Sequence, residues 1–147
     1  MIAKKITLLF LLISLVGFIA GYFLTNSYEF GFCYSNFETR TFDVSCHEYY
    51  ENLANPLYYG MPALAIVFLI LLFLPRAFPA WKKFAIWFIP LATLLFIFYP
   101  NPGSGDYFSP YPEQVYKWVS ILYVVISIGI ITFSASKPNA TSSTLPN

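Results

Sequence analysis

The sequence predicts an all-α integral membrane protein: a four-transmembrane-helix bundle carrying a small disulfide-linked extracytoplasmic β-hairpin. Three observations predict it. Four apolar stretches approach the length of a bilayer span, charge is scarce, and the basic residues and the cysteines fall on opposite sides of those stretches. Of 147 residues, 58% are hydrophobic and 10% charged, against roughly 25% charged in ordinary soluble domains. Mean hydropathy is +0.63, and a soluble fold this apolar would lack polar groups to cover its surface. Aromatics make up 21%, an excess suited to membrane interfaces, where Tyr and Trp settle at headgroup level.

A hydrocarbon core of about 30 Å needs about 20 mainly apolar helical residues. Ile6 to Leu24 is uncharged and meets this length. Lys4 and Lys5 precede it as a short positive region, but the apolar run exceeds a signal-peptide core of about 7–15 residues, and no small-x-small cleavage site follows. The expectation is an uncleaved signal anchor. Leu57 to Leu74 is the second run, Phe84 to Tyr99 the third with Trp81 as interfacial anchor, and Trp118 to Phe133 the fourth. The expected spans are 6–24, 57–74, 82–99 and 115–134, within one membrane domain of residues 1–136. Residues 137–147, rich in Ser, Thr, Pro and Asn, are expected to be a disordered cytoplasmic tail.

Charge orients the spans. Lys4, Lys5, Arg76, Lys82, Lys83 and Lys137 fall at the two ends of the chain and in the loop between spans two and three, while Arg40 and Lys117 fall on the other side. The positive-inside rule then places both termini and the loop at 75–81 in the cytoplasm. The loops 25–56 and 100–113 are extracytoplasmic, in a cell or inner membrane, and hold every acidic residue. The short PRAFPAWKK loop predicts that spans two and three form an antiparallel neighbouring pair.

In the first outer loop Tyr28, Phe30, Phe32 and Tyr34 alternate with Glu29, Gly31 and Cys33, and Phe42, Val44 and Cys46 alternate with Asp43 and Ser45. Period-two patterning predicts paired strands, with Ser35-Asn36 at the turn. His47 to Asn55 is expected to form a short helix leading into span two. The second outer loop, PNPGSGDYFSPYP, excludes regular structure through its prolines and glycines. Pro62 is expected in the first turns of span two, where it costs little, and Pro90 inside span three, where it kinks the helix.

Few patterns here can carry chemistry. Cys33 and Cys46 share an oxidising outer loop and predict a structural disulfide. A thiol oxidoreductase would use a close Cys-x-x-Cys pair, and the quinone-linked membrane kind also needs a second relay pair; the chain has neither. His47 and Glu51 would share a helix face, but two ligands do not make a zinc site, which takes three or four. Serine nucleophiles have no membrane-adjacent base other than His47. Nothing calls for a cofactor or a metal. The spans hold no ionisable residue in their cores, so they carry no mark of a proton or ion path. Small four-span multidrug exporters are similar in size and span number, yet depend on an acidic residue in the first span that is missing here. The net charge of +1 says nothing about nucleic acid, and there is no clustered basic stripe of the kind nucleic-acid binding needs, so none is expected as a partner.

Small residues mark close helix approach in membranes. Ser14, Gly17 and Gly21 share a face of span one, and Ser120, Ser127 and Ser134 recur at heptad spacing in span four. They predict packing within the monomer, with a homo-oligomer through Gly17 and Gly21 as the rival. The candidate partner surface is aromatic: Tyr28, Phe30, Phe32, Tyr34, Tyr107, Phe108 and Tyr111.

Phe30-Gly31-Phe32-Cys33 followed by Cys46 resembles the Gly-Leu-Trp, Cys, Cys signature of the claudin and peripheral-myelin-protein group, whose four spans and internal ends are also similar. The tryptophans are absent, the cysteine spacing is longer, and the loop is too short for that group's larger sheet. The resemblance implies an adhesion or assembly protein. The composition and patterning together point to a non-enzymatic structural, accessory or interaction component that meets the lipid bilayer and a membrane-protein partner. A small transporter or channel is the competing reading.

Overall fold

The computed structural model describes residues 2–36, 41–99 and 111–136. Four long helices dominate: α1 (Ile2–Thr25), α2 (Val44–Phe73), α3 (Phe78–Phe98) and α4 (Pro112–Ser136). All four are long and apolar enough to cross a membrane. Most side chains on these spans point away from the protein; Trp87, for example, is 81% exposed. Such a surface suits lipid as its solvent and would aggregate in water. The protein is a four-helix membrane protein.

α2 holds the centre. α1 runs antiparallel along it, α4 lies beside it, and α3 packs on α4 rather than along α2. Small side chains set the first contact. Gly17 faces Met61, and Gly21 lies against the backbone of Leu57 and Tyr58. Phe10 stacks on Phe68 and Phe18 lies tilted against Tyr58, each pair with ring centroids 5.5 Å apart. Aromatic packing also joins α3 to α4, through Phe88 with Tyr123 and Phe96 with Tyr116.

The closed part of the core lies at the end where α2 turns into α3. Val67, Phe68, Leu71, Ala77, Trp81, Tyr123 and Ile131 are buried there together. The turn itself is a 3-10 segment, Pro75–Ala77. Spans two and three were expected to form an antiparallel neighbouring pair. They converge only at this end, through contacts such as Phe68 to Trp81 at 5.3 Å. A short connection fixes where two helices meet; side-chain volume decides how far they stay together. Toward the disulfide end a groove of about 600 Å³ separates them.

Two further expectations are corrected. The hairpin across 28–34 and 42–46 does not form as drawn. Residues 26–33 coil in tight turns that continue from α1, with Gly31 at φ 73°. Val44–Cys46 already belong to α2. What remains is a two-residue ladder pairing Ser35 with Phe42 and Asn36 with Thr41. The aromatic alternation was misread because local turn hydrogen bonds, such as those from Phe32 and Cys33 N–H to the Ser27 carbonyl, satisfy this backbone instead. The second correction concerns α2. The separate helix at 47–55 is the first part of a single 30-residue helix, about 45 Å long. Pro56 and Pro62 both lie inside it. Pro62 is therefore well past the first turns. Each proline denies a hydrogen bond to the carbonyl four residues earlier, a loss membrane helices tolerate.

Candidate functional site

The polar chemistry of the described residues concentrates at the disulfide end. At that end begins α2, whose 30 residues are about ten more than the roughly 20 that suffice to cross a hydrocarbon core. Its start is set by Asp43, the N-cap, whose carboxylate accepts hydrogen bonds from the Cys46 N–H at 3.0 Å and the Ser45 hydroxyl at 2.8 Å. These bonds favour the charged form and hold the Asp43 carboxyl below the ordinary aspartate range. The Asp43 carbonyl also accepts from the Tyr28 hydroxyl at 3.0 Å. Cys33 and Cys46 form a disulfide with Cα atoms 5.8 Å apart, so the turn segment is bonded to the first turn of α2.

Beneath the disulfide lies a contact that sequence reasoning missed. Ser27 is fully buried, and its Oγ lies 2.8 Å from His47 Nδ1. Tyr28 stacks on the imidazole at 4.6 Å. His47 Nε2 lies 3.9 Å from Glu51, one turn on. Serine, histidine and glutamate in line have the composition of an acyl-transfer triad. The geometry does not serve one: a nucleophile with no exposed surface cannot meet a substrate, and 3.9 Å is too long for the hydrogen bond that orients the base. His47 instead ties the loop after α1 to α2. Twenty residues separate Ser27 from His47, so no local pattern joined them.

The candidate partner surface divides. Tyr28 is turned inward on His47. Phe30 packs edge-on against Phe23 at 4.5 Å, and Phe32 leans on Tyr50 at 5.8 Å, and both remain partly exposed. Tyr34 is 67% exposed. Tyr111 is exposed at the start of α4, and Tyr107 and Phe108 lie outside the described residues, as do the rest of 100–110 and the tail at 137–147. The structure adds Val44, Tyr49 and Leu53, exposed along the extension of α2, with Tyr49 at 69%. Tyr49 and Leu53 already share a face of the helix expected at 47–55, and Val44 becomes helical because α2 starts there.

The helix-packing residues separate likewise. Ser14 is buried and donates to the Leu11 carbonyl at 2.8 Å. α2 fills the space over Gly17 and Gly21, leaving neither for a second copy. Ser127 is fully buried, and Ser120 is half-buried beside the groove. The side-chain polar atoms of Ser120, Trp81, Tyr123 and Ser127 are buried and make no hydrogen bond among the described residues. Lys117, near the disulfide end of α4, pairs with Glu113 at 3.8 Å and lies 5.1 Å from the Tyr59 ring of α2.

Comparison with known protein families, with curated proteins and with solved structures found no match to this chain.

Proposed function

We propose that this chain is a non-enzymatic accessory protein of a cell or inner membrane that holds a partner membrane protein through its disulfide-tied cap. The observation that carries the reading is the pairing of exposure with rigidity at that cap. Phe30, Phe32, Tyr34 and Tyr49 present apolar surface where the protein leaves the bilayer, and aromatic side chains are favoured anchors at protein interfaces. The segment beneath them is fixed by the disulfide, the Asp43 cap and the Ser27–His47 bond, so little ordering entropy is lost on docking.

Orientation belongs to the same proposal. The helix directions gather Lys4, Lys5, Arg76, Lys82 and Lys83 at one end and Glu29, Asp43, Glu48, Glu51 and Glu113 at the other. The basic end is cytoplasmic under the positive-inside rule, and the cap faces the oxidising side, where a disulfide persists.

A photo-crosslinking side chain placed at Tyr34 or Tyr49 in native membranes tests the docking. The expected result is one discrete protein adduct from both positions and none from Trp87, with Tyr34→Glu plus Tyr49→Glu abolishing copurification of that protein at unchanged melting temperature. Adducts to lipid alone, or copurification indifferent to the double substitution, would overturn it.

A further inference from the structure

We propose that the groove between α2 and α3 binds a bilayer phospholipid by one acyl chain, taken from the leaflet on the disulfide side. The groove meets the cap surface only at Leu53, and this assignment stands or falls independently of the partner reading. Its walls are three helices of matching extent: Leu53 to Leu64 on α2, Phe88 to Tyr99 on α3, and Pro112 to Tyr123 on α4. Each stretch rises about 17 Å at 1.5 Å per residue. One leaflet contributes about half of a hydrocarbon core of about 30 Å. The groove is therefore one leaflet deep, from the membrane surface to near the midplane.

Its chemistry changes along that depth. Asn52, Tyr99 and Tyr116 stand at the mouth. Pro56 adds an acceptor there, because it has no N–H to offer the Asn52 carbonyl. Below the mouth the walls are mainly apolar, interrupted by Ser120 and by Thr93, whose hydroxyl donates to the Ile89 carbonyl, and Phe88 and Tyr123 close the deep end. Polar above and apolar below is the polarity of a phospholipid entering its own leaflet.

The chief rival is a helix of a second copy or of a partner. With side chains a helix measures about 10–12 Å across, so it would seat only a ridge of side chains in a groove of about 600 Å³ over this length. A hydrocarbon chain fits, and its entry replaces an unfilled gap with dispersion contacts.

Gly60 makes the groove testable. A Cβ at this position would meet only the tip of the Phe96 ring, at 3.9 Å. A larger residue there enters the groove without disturbing a helix contact. The experiment reconstitutes the full chain in phosphatidylcholine vesicles doped with phosphatidylcholine bearing an acyl-chain diazirine. In one series the diazirine lies near the carbonyl, in the other near the chain end. The expected label falls on Asn52 and Tyr99 from the first probe and on Leu64 and Phe88 from the second, several-fold above label on the lipid-facing Trp87. Gly60→Leu should cut groove labelling several-fold and leave Trp87 labelling unchanged. Ala92→Leu narrows the same groove from α3 and provides the test should Gly60→Leu fail to fold, as judged by melting. Groove labelling no greater than that of Trp87, reversed depth order, indifference to both variants, or crosslinks from groove residues to another protein helix would each overturn the proposal.

Discussion

Asp43 concentrates much of the cap's local order in one residue. Its carboxylate caps α2 beside the disulfide, and its carbonyl receives Tyr28. Because its carboxyl titrates below the ordinary range when folded, its contribution is fully present above the unfolded pKa of about 3.9. It is lost as pH falls through the lower folded value. Asp43→Asn retains an N-cap acceptor and removes this titration. The melting temperatures of the two proteins should therefore run parallel above pH 5 and converge in acid, as followed by circular dichroism in detergent; a constant offset through pH 3 would contradict the assignment. Ser27 offers a second test at this scale. Ser27→Ala strands His47 Nδ1 and should cost on the order of 1 kcal/mol, visible as a lower melting temperature. A variant of unchanged stability would show that the contact does not hold the loop.

At the scale of elements, the two glycines of α1 differ although sequence treats them alike. A Cβ on Gly21 would come within 2.8 Å of the Tyr58 backbone nitrogen, which can yield only if the helices part. A Cβ on Gly17 would meet the Met61 side chain at 2.9 Å, and that flexible chain can swing aside. Gly21→Ala should therefore destabilise by about 1–3 kcal/mol, the usual range for overpacking, and Gly17→Ala by much less. Gly129, with nothing within 4 Å, should accept alanine without loss. Detergent unfolding of the three variants ranks them directly, and equal costs at positions 17 and 21 would contradict the packing described. α2 is the other informative element. Its two internal prolines tempt a reader to end the helix, yet it continues through both, because in lipid a broken backbone has no water to turn to.

For the whole molecule, the disulfide links the turn segment after α1 to α2 across a sequence separation of 13. Closing such a loop restricts the unfolded chain and contributes roughly 3 kcal/mol. Cys33→Ser with Cys46→Ser should lower stability by about that amount while leaving four spans, as read by melting and helical content. A membrane-impermeant thiol reagent added after reduction should label both cysteines from the side opposite to that from which protease reaches the Arg76 loop. Labelling from the same side would invert or dismantle the proposed topology. The bundle is closed at one end by Trp81 and its neighbours and open at the other between α2 and α3, which makes its shape asymmetric across the bilayer.

Sequence by itself determined the number of spans, their approximate places and the pairing of the two cysteines, because each rests on composition along a short stretch or on counting. A run of about 20 apolar residues has few alternatives to a membrane helix, and two cysteines allow one bridge. Only tertiary structure decided that Tyr28 faces His47 rather than a partner, that Ser27 and His47 meet, that α2 starts at Val44, and that α3 leaves α2 for α4. The start of α2 is set locally by the Asp43 cap, whereas the other outcomes turn on contacts between residues far apart in the chain, settled by side-chain shape and hydrogen bonds. Hydropathy, the strongest signal in this sequence, is blind to both.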